Sequence, residues 1–133
     1  MPLLFVDLDN TLSDRAASFR RWAAEYLNER FGEASKQMID AMVIADGDGI
    51  TSKSEAAAAL AEVLGLNPAE RAEIIKVMRA GTLAHLRPTP GITEALDKAH
   101  AAGFRPFIVT NGQERQQERK IASLGLHTQV AGW

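Results

Sequence analysis

The chain contains no cysteine among its 133 residues, so disulfides and thiolate metal sites are excluded, and a reducing compartment suits it. It lacks a charge excess of either sign. A formal net charge of −2 argues against a general nucleic-acid binder or a protein attracted to acidic membranes, both of which show a basic surplus. It has no apolar run of membrane-spanning length and no leader-like start, because a strand pattern begins within three residues of Met1. Neither nucleic acid nor membrane is therefore expected as a partner, and the location expected is cytoplasmic. Repeats and low-complexity tracts are absent too; "EAAAALAE" is an ordinary helix-forming stretch. What is present is a 46% hydrophobic, 24% charged composition that can build a core, at a length suited to one domain or a small domain with an insertion.

The apolar run Leu3-Leu4-Phe5-Val6 reads as a strand and delivers Asp7 and Asp9, one residue apart. Ser13 can cap the helix that follows. Phe19, Trp22, Ala23, Tyr26, Leu27 and Phe31 then recur at helical spacing up to Gly32, and the Trp22 and Tyr26 stripe reads as bundle core. A shorter helix carries Met38, Ile39, Met42 and Val43 and stops at "DGDG", residues 46–49. "SKSE" opens a third helix with Ser52 and Glu55 at capping-box spacing. "NPAE" opens a fourth with Asn67, Pro68 and Glu70, whose apolar face is Ile74, Ile75 and Met78 and whose end is expected at Gly81. Residues 14–85 thus read as a four-helix insertion.

Beyond "LRPTPG" (residues 86–91) the pattern changes to a helix with Ile92, Leu96 and Ala99. The strand "FRPFIVT" and another helix over "QERQQERKIASL" come next, and "TQVAGW" reads as the start of a third strand. Strand–helix–strand–helix is the rhythm of a parallel α/β sheet, here interrupted after its first strand. The domains expected are 1–13 with 86–133 as core and 14–85 as cap.

Open parallel sheets bind ligands beyond the carboxyl ends of their strands. Asp7, Asp9 and Thr11 follow the first strand, and Thr110 and Asn111 follow the second. Two carboxylates this close repel unless a cation compensates. Mg²⁺ takes oxygen ligands and keeps water and phosphate in its shell, while Thr110, Asn111 and the amides of an "NG" turn can donate to phosphate oxygens. The five residues together suit a metal and phosphate site.

"DLDNT" after an apolar strand and "FIVTNG" at the end of a second resemble the first two motifs of the haloacid dehalogenase-like hydrolase superfamily. The helical insertion resembles its small α-helical cap, and "PTPG" its re-entry into the core. The resemblance runs from residue 3 to about residue 131. It implies a partial Rossmann-like parallel sheet core with an inserted four-helix cap, and a Mg²⁺-dependent phosphatase acting on a small phosphorylated substrate. In that family scheme Asp7 is the nucleophile that becomes an aspartyl phosphate, and Asp9 is the acid–base group. Mg²⁺ is held by Asp7 and by the main-chain carbonyl of Asp9, and Thr11, Thr110 and Asn111 serve the phosphate side. Asp9 favours a phosphatase over a 2-haloacid dehalogenase, which needs no acid two residues after its nucleophile.

The family also uses a later lysine, commonly before a proline, and a later acidic pair. Neither follows Lys120 here, which reads as a charge on a helix surface. These 133 residues are therefore expected to be the N-terminal part of a longer enzyme with little activity alone. The alternative is a non-catalytic, degenerate module that binds phosphate ligands or pairs with a second chain through its open sheet edge. "DGDG" is not a calcium loop, since it lacks the third ligand in step and has Ala57 where the distal glutamate would fall. Asp46 and Asp48 read instead as a flexible surface turn. His85, His100 and His127 are scattered and receive no role.

Overall fold

In the computed structural model all 133 residues are described. In chain order they form β1 (Leu3–Val6), α1 (Arg15–Phe31), α2 (Lys36–Asp46), α3 (Lys53–Leu64), α4 (Pro68–Ala84), α5 (Ile92–Ala101), β2 (Arg105–Ile108) and α6 (Glu114–Ser123). Short 3₁₀ turns lie at Gly47–Gly49 and Leu126–Thr128. The chain divides into two compact units, Met1–Arg15 with Leu86–Trp133 and, inserted between them in sequence, Ala16–His85. The architecture is α/β, part of a Rossmann-like parallel sheet core with a helical cap. No helix is long and apolar enough to cross a membrane.

The inserted unit is the four-helix bundle. Its core joins Phe19, Trp22, Ala23 and Leu27 of α1 to Met42 and Ala45 of α2, Leu60 and Leu64 of α3, and Ile74 and Met78 of α4. The starts of α2, α3 and α4 each have a local cause. Ser35 accepts a bond from the Met38 amide, Ser52 accepts one from the Glu55 amide, and Asn67 and Glu70 close a reciprocal capping box with Pro68 in the first turn. Gly47 and Gly65, both left-handed, end α2 and α3.

Two expectations are corrected in this unit. Gly81 does not end α4, which continues to Ala84; a Cβ at position 81 would lie 1.9 Å from Trp22 Cδ1. The glycine is there so that α4 can meet the indole face, and a helix interior tolerates it at about 1 kcal/mol relative to alanine. Asp46 is not in a surface turn. It is the last residue of α2 and is 1% exposed, while Asp48 beyond it is exposed with a left-handed φ of 54°.

The other unit is built on β1 and β2, which pair in parallel with Leu3 opposite Arg105 and Val6 opposite Ile108. Alternation along each strand puts Ile108 and Val6 on the face packed by Leu96 of α5 and Ile121 of α6, together with Leu8, Leu12, Leu124 and Leu126. The opposite face keeps Leu3, Phe5 and Val109 exposed, with Phe5 edge-on to Phe107 at 6.2 Å. The expected third strand is present only as a parallel bridge between Gly132 and Phe107. The Ile108 amide donates to Gly132 O at 2.9 Å, and the Ala131 amide to Pro106 O at 2.7 Å.

Candidate active site

Both strands end at the same edge of the sheet, where the Val109 amide donates to Val6 O at 2.9 Å. The loops 7–13 and 109–113 therefore leave side by side. The first loop is wound on Leu8, whose side chain is fully buried. Its carbonyl accepts the amides of Thr11, Leu12 and Ser13 at 3.3, 3.0 and 3.0 Å, and the Ser13 hydroxyl at 3.4 Å. Asn10 turns the chain with a φ of 58°, a conformation asparagine adopts more readily than most residues. The leucine between the two aspartates is thus an anchor: with Leu8 pointed into the core, the flanking Asp7 and Asp9 project elsewhere. Asp7 is exposed and Asp9 partly buried.

Asp9 is held at both carboxylate oxygens by α6. Lys120 Nζ lies 2.9 Å from Oδ1, and Gln117 Nε2 donates to Oδ2 at 3.1 Å. The same Gln117 nitrogen donates to Thr110 Oγ1 at 2.7 Å, and the Thr110 hydroxyl in turn donates to Asn111 O at 3.2 Å. Asp9, Thr110, Gln117 and Lys120 form one network at the ends of both strands. Asp7, Thr11 and the Asn111 side chain stand at the same sheet edge, exposed and outside that network.

Lys120 is therefore not a helix-surface charge. Its side chain is only 13% exposed and its ammonium is an ion-pair partner inside the site. Gln117, 5% exposed, was not singled out by the sequence at all. A signal existed: Gln117 shares the inward stripe of α6 with Ile121, and a polar residue on an apolar face needs a partner. Gly112, with a φ of 114°, lets the turn run close against the Gln117 side chain, where a Cβ would sit 3.4 Å from Cδ.

The donor set bears on what cation could be held. Nowhere in the chain do three or more His, Cys, Asp or Glu side chains cluster. The Asp9 carboxylate is already engaged, which leaves the exposed Asp7 carboxylate and the Asp9 main-chain carbonyl as hard oxygen donors. That set fits Mg²⁺, which commonly takes one or two carboxylates and fills its shell with water and substrate phosphate.

Compared with known proteins, residues 4–132 match the family model for haloacid dehalogenase-like hydrolases. No curated protein sequence matches the chain. Among solved structures, the YfnB protein of Bacillus subtilis, assigned as a HAD-hydrolase and bound to magnesium, aligns at a TM-score of 0.73 and 19% identity, covering 98% of this chain and 63% of that one. A predicted phosphoglycolate phosphatase from Haemophilus somnus aligns at 0.58 and 18%, covering 99% and 61%. The L-2-haloacid dehalogenase of Xanthobacter autotrophicus, with chloropropionic acid covalently bound, aligns at 0.64 and 18%, covering 98% and 54%. The chain thus spans 54 to 63% of the length of these structures.

Proposed function

Because the chain belongs to the haloacid dehalogenase-like hydrolase family, we propose that its strand-end site is that of a Mg²⁺-dependent phosphatase working on a small phosphorylated metabolite. The observation that carries this reading is the contrast between the two aspartates. Asp7 is exposed and uncommitted, as a nucleophile must be, whereas Asp9, two residues on, is oriented by donors on both oxygens. A dehalogenase has no use for a second, positioned carboxyl group.

In the first half-reaction an Asp7 carboxylate oxygen attacks the phosphorus and the ester P–O bond breaks. Asp9 passes a proton to the departing alcohol, leaving an acyl phosphate on Asp7. In the second, Asp9 takes a proton from water as the water attacks that phosphorus, releasing inorganic phosphate and restoring Asp7. Asn111 and the amides at the start of α6, with Thr110 once its hydroxyl turns from Asn111 O to the substrate, supply donors to the phosphoryl oxygens. Asp7 and the Asp9 carbonyl would hold Mg²⁺, which when bound offsets the negative charge of nucleophile and phosphate. With so few protein ligands for the metal, turnover by the 133-residue chain is expected to be low.

Beryllium fluoride, which bonds to carboxylate oxygens in the shape of a phosphoryl group, tests the reading without requiring turnover. In the presence of Mg²⁺ the chain should show protein-bound ¹⁹F resonances that vanish in Asp7→Asn. No bound fluoride in the folded wild-type chain would overturn the proposal. Chloride release from 2-chloropropionate, lost in Asp7→Asn, would replace it with dehalogenation.

A further inference from the structure

Asp9 meets α6 over a single helical turn. Gln117 and Lys120, three residues apart, stand on one face and reach one carboxylate oxygen each. We infer that Gln117 and Lys120 are positioning residues for Asp9: Lys120 is a counter-charge carried by the protein itself, and Gln117 is a tie fixing Asp9 against Thr110. The inference rests on the assignment of Asp9 as the acid–base group and adds what holds it.

Three observations support it. An almost fully buried primary amide is costly unless its polar atoms are bonded, and both N–H groups of Gln117 Nε2 are used, one on Asp9 Oδ2 and one on Thr110 Oγ1. The Lys120 side chain is largely withdrawn from water and its ammonium finds its compensation in Asp9 Oδ1. Donors on both oxygens also remove the rotational freedom of the Asp9 carboxylate. Taking a proton from the attacking water needs the ionised carboxylate in one orientation, so the grip determines how often Asp9 is aligned for that step. Glutamate at 117 would set a second negative charge against Asp9, and any residue at 120 without a positive head would leave the Asp9 carboxylate without its counter-charge.

The test uses the 133-residue chain labelled with ¹³Cγ-aspartate, the Asp9 resonance being the one missing from Asp9→Asn. Lys120→Met and Gln117→Leu should each move that resonance by more than its linewidth while the other aspartates, Asp7 apart, hold their positions. Lys120→Arg, which keeps the charge and the donor, should restore the wild-type shift. An Asp9 resonance indifferent to Lys120→Met and Gln117→Leu in folded protein would overturn the inference, even where Asp7 binds beryllium fluoride. Should Lys120→Met not fold, Gln117→Leu and Lys120→Arg decide it by the same signal. Absent fluoride binding with an Asp9 resonance that does respond would instead remove the phosphatase reading and leave the grip standing.

Discussion

Residues 16–85 and the unit formed by residues 1–15 with 86–133 both bury apolar side chains, but they differ in where their polar groups go. In the helical unit the ion pairs that span elements, Arg20 with Asp40 and Arg30 with Glu70, brace one helix against another at the surface. Its core is a contiguous set from Phe19 to Met78. The sheet unit instead draws Gln117 and Lys120 inward to meet Asp9, and leaves Leu3, Phe5 and Val109 on an exposed sheet face. One unit is organised to be stable and the other to hold a charged group at a sheet edge. The comparison teaches that the unit carrying the candidate site is the one that leaves an apolar sheet face in the open.

The sharpest way to break this contrast is at Trp22, which packs against Phe19 and Tyr26, each at 5.4 Å between ring centroids, and against the bare backbone at Gly81. Trp22→Ala should cost the helical unit about 3–5 kcal/mol in chemical unfolding. Gly81→Ala should cost about 1–3 kcal/mol, because the new methyl meets the indole with no room to shift freely. Both variants should leave the ¹³C signal of Asp9 where it was. A moved Asp9 signal would mean that bundle and site are not the separate devices described above.

The helical unit was the more legible in the sequence for a physical reason. Caps such as Asn67 with Glu70 and stripes such as Ile74 and Met78 are local patterns, set by neighbours three or four residues away. The strand-end aspartates could also be read, because an apolar strand followed by two carboxylates is a short motif. The grip on Asp9 could not, since Gln117 and Lys120 act across 108 and 111 residues of chain. Lys120 in particular has the spacing of an ordinary solvated charge, and only the parallel pairing of β1 with β2 brings its helix to Asp9. Gly81 misled for the opposite reason: glycine is a strong local stop signal, and here a tertiary contact with Trp22 overrides it.

Smaller effects sharpen the picture of a unit stabilised by local bonds. Asn67→Ala removes the acceptor of the Glu70 amide, at 2.8 Å, and should cost about 0.5–2 kcal/mol. Glu70 accepts from both Arg30 and the Asn67 amide, and these bonds hold its carboxyl below the ordinary glutamate range. A carboxylate with a depressed folded-state pKa stabilises the fold above its unfolded value and loses that contribution as pH falls through the folded value. The stability difference between wild type and Glu70→Gln should therefore be widest above about pH 4.5 and should close in acid. A gap that persists unchanged to low pH, measured by urea unfolding across the range, would show that the Arg30 pairing contributes nothing.

The smallest effect expected lies on the bare sheet face. Val109→Thr keeps the branched Cβ that suits a strand end, along with the backbone bond to Val6, and places its hydroxyl where water can reach it. Its cost should stay within about 0.5 kcal/mol. Ile74→Thr, by contrast, puts a hydroxyl into the filled bundle core and should cost several times more. Binding of a hydrophobic dye should fall in Val109→Thr, because the exposed patch of Leu3, Phe5 and Val109 loses one of its apolar members. If Val109→Thr instead costs as much as Ile74→Thr, the face is covered in solution. A melting temperature that rises with protein concentration would then identify a second copy as the cover.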